Sequence, residues 1–306
     1  MNNVVVSIVM SNYNGSEKIN NTIKSVLGQS FKDFEFIIID DGSSDDSKVK
    51  VEQFNDNRII FIVNENNLGL TKNLIKGVEE AKGRYIARID VGDYWHLEKL
   101  HKQVDFLEKN KEYVICGTQV NYFDNNGVVN KSWFSNDDES IRKRFISHEG
   151  TFEHSSILFR NKLINYRKQF RYAQDQDLYL RISFLGKLYC LDETLTFSEI
   201  NLEGITLNKK YLQRQFQKHA FKLYTQRLID TTDDIDSLKI EELKIRDTKL
   251  DKFLNKLSMR FYTKYVFNRT KKKTILFWLV PLCISLFLYP PYLVDYLNKL
   301  KGVVSK

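Results

Sequence analysis

The first 90 residues alternate apolar runs with segments of helical periodicity, and this alternation leaves few folds open to the chain. The apolar runs are rich in β-branched residues and nearly continuous, as expected of strands buried on both faces of a sheet. They are Val4–Met10, Phe34–Asp40, Arg58–Val63 and Tyr85–Ile89. Between them, Ser16 is placed to cap a helix, and a second helix is predicted over 70–81. Strands that alternate with helices predict a mostly parallel central sheet with right-handed crossovers, which is an α/β fold.

The pattern changes after about residue 110. A strand leads into the turn Asn125–Gly127, a short strand follows in "SSILFRN", and a helix is predicted over Asp175–Gly186. We interpret these elements as additions to the same sheet, forming a half of the domain that binds a second substrate. The predicted domain therefore covers residues 1–208, with a helical, basic extension over 209–273 and a hydrophobic tail over 274–306.

The positive charge is concentrated near the C-terminal end. The formal net charge is +8, and Lys252–Lys273 alone contains eight basic residues and no acidic ones. The next twenty residues, Ile275–Val294, carry no charge, which is just long enough to span a hydrocarbon core of about 30 Å. Pro281 and the pair Pro290–Pro291 argue against one straight helix, so a surface helix or a re-entrant hairpin stays open. The tail predicts an anionic membrane surface as partner rather than nucleic acid.

The cysteines and the N-terminus indicate the compartment. Cys116, Cys190 and Cys283 are far apart and odd in number, which predicts no disulfide framework and a reducing environment. The N-terminal residues lack the basic and long apolar regions of a signal peptide. The expected location is the cytoplasmic face of the cell membrane, with the C-terminal tail attached to it.

Three of the predicted strands end in polar residues. These ends read "SNYNG" (Ser11–Gly15), "DDGSSDD" (Asp40–Asp46) and "DVGD" (Asp90–Asp93). In a parallel sheet they meet at one edge, where ligands bind. Each alone also fits a turn or a helix start, but carboxylates at such an edge suit a divalent cation that bridges to a phosphate.

The order of these motifs resembles the family 2 inverting glycosyltransferases of the GT-A fold. The resemblance covers roughly residues 4 to 200 and includes "EHSSILFR" and "AQDQDLYLRIS" downstream of the strand ends. It implies a GT-A nucleotide-diphospho-sugar transferase fold and a UDP- or dTDP-type sugar donor. It also implies transfer to a glycan or lipid-linked acceptor in cell-surface polysaccharide synthesis.

The resemblance assigns the donor nucleotide to the first strand ends. Ser11 and Tyr13 match positions that pack the base, although Tyr13 also fits ordinary core packing. Asp41 matches the aspartate that accepts a hydrogen bond from a pyrimidine N–H, while Asp40 is an alternative that orients the loop. Lys72 matches a position that faces the diphosphate, and a solvated helix lysine is equally open.

The sequence departs from the family at "DVGD". The family's usual Asp-Ala-Asp-Asp supplies its metal contact from the third position, which is Gly92 here. The resemblance leaves Asp90 and Asp93 as the ligands for Mn²⁺ or Mg²⁺, with Asp90 also near the donor. A metal held mainly by phosphate and water, or a loss of activity, is also open.

The resemblance places the catalytic base in "AQDQD". Inverting transfer needs one carboxylate that accepts the proton of the acceptor hydroxyl. Asp175 matches that base, and Gln174 stands where the family has glutamate. Asp177 and His154 are assigned to a possible sugar or acceptor pocket, with a helix cap and a structural histidine as alternatives.

The sequence leaves three functions to compare. The main prediction is an inverting glycosyltransferase. The first alternative is a catalytically impaired, sugar-nucleotide-binding membrane scaffold. A nucleotidyltransferase shares the α/β half, but the N-terminal region lacks a glycine-rich, lysine-containing phosphate loop.

Overall fold

The protein is described by a computed structural model, which covers residues 4–124, 127–146, 151–200 and 209–229 and a few isolated positions from 248 to 284. By contacts the chain divides into two units, Met1–Ile200 and Asn201–Lys306. The predicted bounds 1–208, 209–273 and 274–306 stay predictions.

The first unit is built on one curved layer of nine strands among the described residues. The strands are β1 (Val6–Asn12), β2 (Phe34–Asp40), β3 (Ile59–Val63), β4 (Tyr85–Arg88), β5 (Tyr94–Trp95), β6 (Tyr113–Asp124), β7 (Gly127–Lys131), β8 (Leu158–Arg160) and β9 (Lys187–Glu199). Their spatial order is β3-β2-β1-β4-β8-β6-β9-β5, with β7 paired to β6. The sheet therefore orders the N-terminal strands as 3-2-1-4, with the chain direction common to all four.

Helices connect these strands. They are α1 (Ser16–Leu27), α2 (Ser47–Glu52), α3 (Leu70–Glu80), α4 (Lys99–Lys109), α5 (Asp138–Ile146) and α6 (Gln174–Ile182), with a 3₁₀ turn at His154–Ser156. The α/β class is confirmed. The pairing is parallel among β1 to β4 and between β6 and β9, whereas β5, β7 and β8 pair in the antiparallel direction.

The predicted apolar runs form the core because they are covered on both faces. Every residue of β2 is buried, and so is every residue of β1 except Ser11. Ile19, Ile23 and Val26 of α1 pack in the same core. The parallel register pairs Asn12 with Asp40, so β1 and β2 end side by side.

The prediction that Ser16 caps α1 is wrong. Ser16 is the first helical residue, and its backbone N–H donates to the Asp45 carboxylate at 2.9 Å. Burial alone raises the pKa of Asp45, but the hydrogen bonds from Ser47 and Ser16 outweigh it and lower the pKa to about 2. The helix is thus capped from the loop after β2, which ties two strand ends together.

In the second unit the structure describes one long helix, α7 (Lys210–Ile229). Within the described part of the chain, no helix combines the length and the apolar character that a membrane crossing requires. Most of the basic segment and nearly all of Ile275–Val294 lie outside the described residues, so the predictions made for them stay predictions. Cys116 and Cys190 are buried free thiols, and Cys283 is an exposed one.

Candidate active site

The loops after β1 and β2 form one hydrogen-bonded edge. The Asn12 amide donates to the Asp40 carboxylate at 2.8 Å and to the Ser43 hydroxyl at 3.1 Å. The Ser43 backbone N–H donates to the other oxygen of Asp40 at 2.9 Å. Asp40 is fully buried, so its carboxylate orients this loop and is not available to a ligand.

Asp41 connects the same edge to the start of α3. Its buried carboxylate accepts backbone N–H groups of Leu68 at 2.8 Å and Gly69 at 2.9 Å. Asn64 also donates to it at 3.1 Å. Both oxygens thus have partners within the protein, and any contact between Asp41 and a pyrimidine stays a prediction.

The other predicted donor residues lie around this edge with different exposure. Ser11 accepts a hydrogen bond from Asn73 of α3 at 2.9 Å and is half-buried. Tyr13 is 55% exposed, so its ring is open to a ligand and is not part of the core. Lys72 lies exposed in the first turn of α3.

At the end of β4, Arg88 and Asp90 form an ion pair. Two guanidinium nitrogens of Arg88 donate to both carboxylate oxygens of Asp90. The Arg88 side chain is buried, whereas the Asp90 side chain is 43% exposed. The Nε of Arg88 is buried and has no hydrogen-bond partner. A charge this deep requires a partner, which Asp90 supplies from the site side.

Asp93 has a structural environment. Its buried carboxylate accepts a hydrogen bond from the Ser155 hydroxyl and another from the Glu199 backbone N–H at 3.0 Å. The Asp90 backbone N–H donates to the same Ser155 oxygen at 3.0 Å. One serine is therefore hydrogen-bonded to both ends of the loop from Asp90 to Asp93. Burial first, and then the charge of Asp90, raises the pKa of Asp93 to about 8.

These residues do not fit a preformed metal site. A divalent cation of the Mg²⁺ type requires hard, negatively charged oxygen ligands. Asp90 is neutralised by Arg88, both oxygens of Asp93 have partners, and Gly92 has no side chain. Among the described residues, no group of three His, Cys, Asp or Glu side chains is placed to hold a metal ion.

The two acids of α6 have different surroundings. Asp175, the second residue of the helix, is half-buried, and its pKa is raised by burial although Arg88 acts against this. Asp177 is buried and accepts a hydrogen bond from Arg181 at 2.9 Å, with an Arg167 nitrogen 3.9 Å away. Asp175 is thus an elevated-pKa carboxylate near Arg88 and Asp90, whereas Asp177 fixes the helix to its surroundings.

His154 and Glu153 lie beside these groups. The His154 Nε2 is 2.8 Å from the Tyr166 hydroxyl, and burial lowers the pKa of His154 well below its usual value. The Tyr122 hydroxyl donates to Glu153 at 3.0 Å. Burial raises the pKa of Glu153 to about 7, with Asp90 and Asp175 adding to the effect.

Sequence reasoning did not identify Arg88, Glu153 or Ser155 as site residues. A signal existed for Arg88, because an arginine inside an otherwise apolar strand must find a counter-ion. Glu153 and Ser155 lie in the motif "EHSSILFR", but the motif does not place them beside Asp90 and Asp93, because they reach the site through the antiparallel pairing of β8 with β4.

Comparisons with known proteins identify the family of this chain. The family model for glycosyl transferase family 2 matches residues 7–167. A glucosyltransferase of Escherichia coli, WfgD, is 32% identical over 222 residues, which cover 72% of this chain and 83% of that protein. An uncharacterized glycosyltransferase of Methanocaldococcus jannaschii is 33% identical over 59% of this chain and 65% of that protein. The putative glycosyltransferase EpsE of Bacillus subtilis is 35% identical over 62% of this chain and 71% of that protein.

A solved structure shows the same fold. Residues 1–349 of S. aureus TarS, in complex with UDP-GlcNAc, superpose with a TM-score of 0.59 at 17% identity, covering 91% of this chain and 90% of that one. The fold is thus that of a GT-A glycosyltransferase, as predicted, and enzymes of this fold generally use divalent cations. The family match extends over more than half of the sequence and includes the three strand ends, so the chain belongs to glycosyl transferase family 2 and is a glycosyltransferase.

Proposed function

We propose that this glycosyltransferase moves a sugar, with inversion, from a UDP- or dTDP-type donor to a glycan or lipid-linked acceptor in cell-surface polysaccharide synthesis. The acceptor class is supported by WfgD, whose name describes transfer from UDP-Glc to a GlcNAc-diphosphoundecaprenol. The donor class is supported by TarS, which has been crystallised with UDP and with UDP-GlcNAc.

The observation that carries this proposal is the position of Asp175. It begins a helix next to the strand-end loops, within electrostatic reach of Arg88 and Asp90. A half-buried carboxylate with a raised pKa is a better proton acceptor than an ordinary surface aspartate. In the proposed reaction Asp175 takes the proton of the acceptor hydroxyl. The acceptor oxygen then bonds to the anomeric carbon from the face opposite the departing nucleoside diphosphate.

The remaining predicted residues have supporting roles. Ser11 and Tyr13 would contact the base. Asp41 would recognise the base or fix the backbone of the loop beside it. Lys72, in the first turn of α3, would face the diphosphate. His154 and Asp177 would contribute to the sugar or acceptor pocket. Mn²⁺ or Mg²⁺ at Asp90 and Asp93 stays a prediction that the present side-chain partners do not favour, and no step is assigned to it.

A direct assay tests this function. Purified protein is incubated with a panel of UDP- and dTDP-sugars and a diphosphoundecaprenol-linked sugar acceptor, and the product linkage is analysed by NMR. One donor should give a product whose anomeric configuration is opposite to that of the donor. A product that retains the configuration would refute the single-displacement mechanism.

The second candidate is the catalytically impaired scaffold, and one observation favours it: position 92 lacks the family's carboxylate. In that case the chain would bind a nucleotide sugar and neither hydrolyse nor transfer it. Donor binding in a calorimeter, combined with no turnover across the same panel, would support the scaffold against the enzyme.

We also propose that the protein works at the cytoplasmic face of the cell membrane. This rests on the concentration of eight basic residues in Lys252–Lys273 and on the uncharged segment that follows. A lipid-linked acceptor agrees with this location, because its reactive sugar lies at the membrane surface.

A further inference from the structure

The space beside Gly92 is filled by a side chain from the other end of the domain. Gly92 has φ +102°, and a Cβ built on it would lie 2.8 Å from a carboxylate oxygen of Glu199. The same Cβ would lie 3.4 Å from the Cδ of Lys18. Where the family projects an acidic side chain from position 92, this protein therefore has the carboxylate of Glu199, with Lys18 next to it.

Glu199 is held in this place by the sheet. It is the last residue of β9, and its backbone N–H donates to Asp93 at 3.0 Å. Two residues earlier in β9, Phe197 is in register with Tyr94 of β5, and the two rings stack at 4.6 Å between centroids. The carboxylate is thus positioned by backbone and ring contacts, and its location does not depend on a free loop.

The Glu199 carboxylate already binds a cation, which is Lys18. The Lys18 Nζ lies 2.8 Å from the carboxylate oxygen that faces Gly92. The Lys18 side chain is 37% exposed and that of Glu199 is 19% exposed, so the pair next to Gly92 is accessible from solvent. An ammonium has three N–H donors, and Glu199 leaves donors of Lys18 available to a ligand.

We propose that Lys18, held by Glu199, supplies the positive charge that faces the departing diphosphate, in place of a metal ion bound at position 92. The order of groups is then carboxylate, ammonium and phosphate, where a metal-dependent relative has carboxylate, metal and phosphate. The inference rests on the proposed function, because it takes a nucleoside diphosphate as the leaving group.

The engagement of the other acids supports this assignment. Asp90 is paired with Arg88, and Asp93 accepts hydrogen bonds from Ser155 and Glu199. Recruiting these acids to a metal would require breaking contacts that hold the loop together. Lys18 requires no such rearrangement, since it is already next to Gly92 and partly exposed, and a phosphate oxygen can accept from its remaining N–H donors.

Calorimetric binding of UDP with and without EDTA tests the proposal on the full chain. Wild-type protein should bind UDP with a Kd that changes less than about threefold on chelation, because the charge is carried by the protein. Lys18→Met should weaken UDP binding by about tenfold or more, as expected for the loss of a charge-assisted hydrogen bond. Lys18→Arg should retain most of the affinity, because it keeps the charge.

Two controls separate charge from folding. Lys24→Met changes an exposed lysine in the last turn of the same helix and should leave the UDP affinity unchanged. Uridine, which lacks the diphosphate, should bind the wild-type protein and Lys18→Met equally well. Equal UDP affinity of the wild-type protein and Lys18→Met, or a large loss of wild-type affinity in EDTA, would each overturn the proposal. Failure of the wild-type protein to bind UDP at all would refute the proposed donor class, and this inference with it.

Discussion

Arg88 and Asp90 face each other at the end of β4, with the guanidinium buried below the loop and the carboxylate partly open to solvent above it. The pair places the first acid of the "DVGD" loop in a fixed orientation. It also reduces the negative charge that a diphosphate meets on approach. Arg88 also acts on Asp175 and Glu153, because its charge opposes the rise in pKa that burial causes at both carboxylates.

Removing the carboxylate from this pair should destabilise the fold. In Asp90→Asn the buried Arg88 guanidinium loses its counter-ion. The free energy of unfolding should fall by about 3 kcal/mol, the lower end for a broken buried pair because Asp90 is partly exposed. Urea denaturation at pH 7 measures this.

Asp46→Asn is the matched control. Asp46 is exposed at the start of α2, and its side chain makes no capping hydrogen bond. The substitution should change the free energy of unfolding by less than about 0.5 kcal/mol. If the two variants unfold at the same urea concentration, the Arg88 ion pair does not stabilise the fold.

A buried lysine should make stability depend on pH. Lys99 is fully buried, donates to Gln103 at 2.8 Å and has its Nζ 3.9 Å from the centre of the Trp95 ring. Burial lowers the pKa of Lys99 from 10.5 to about 7. Between pH 7 and 10.5 the unfolded chain therefore binds a proton that the folded chain does not, so this group's contribution to stability rises with pH in that window.

The difference between wild-type protein and Lys99→Met isolates this contribution, since both contain every other titrating group. From pH 7 to 8.5, the free energy of unfolding of the wild-type protein should rise relative to that of the variant, by at most about 1.4 kcal/mol per pH unit. Parallel pH profiles from urea denaturation would show that Lys99 has an ordinary pKa in the folded protein.

The parts of this protein that the sequence predicts well are those set by local pattern. The four apolar runs form β1 to β4 with small shifts at their ends, because a nearly continuous apolar run is typical of a strand buried on both faces. Their common direction then brings three polar strand ends to one edge, so a site there follows from topology alone. The antiparallel β5, β7 and β8 were less predictable, since such short strands depend on partners distant in sequence.

The sequence predicted which acidic residues belong to the site, but it did not predict which residues contact them. Asp90, Asp93 and Asp175 are the acids that the motifs name. Arg88, the partner of Asp90, lies only two residues before it, whereas Ser155 and Glu199, the partners of Asp93, come from separate segments. Glu199 in particular follows Gly92 by more than a hundred residues, and only the β5–β9 pairing places it there. A motif shows where a carboxylate lies in the sequence. Its pKa, and whether its oxygens are free to bind a ligand, depend on the residues that surround it in the folded protein.

The C-terminal segment should bring the protein to membranes. Full-length protein should co-sediment with vesicles that contain anionic lipid, because Lys252–Lys273 has eight basic and no acidic residues and an uncharged segment follows it. A chain that ends before Lys252 should remain in the supernatant. If high salt alone releases the full-length protein, surface charge dominates and the uncharged segment is not inserted.

The catalytic assignment of Asp175 makes the sharpest prediction. Asp175→Asn keeps the size and shape of the side chain and one acceptor oxygen but cannot accept a proton at neutral pH. Sugar transfer should fall by about 10²–10⁴-fold, the usual contribution of a positioned base. The Kd for the donor should stay close to that of the wild-type protein, because Asp175 acts on the acceptor hydroxyl.

The pH profile of the wild-type enzyme gives a second measurement of the same assignment. A base works only when deprotonated, and the pKa of Asp175 is raised by burial. The rate should therefore rise with pH, and the acidic limb should lie above the range of an ordinary aspartate. Asp177→Asn is the control: it removes the negative charge that pairs with Arg181 and should lower stability more than it lowers the rate of folded protein. If Asp175→Asn transfers sugar at nearly the wild-type rate while Asp177→Asn or His154→Ala abolishes transfer, the base is another residue and the match around "AQDQD" is out of register.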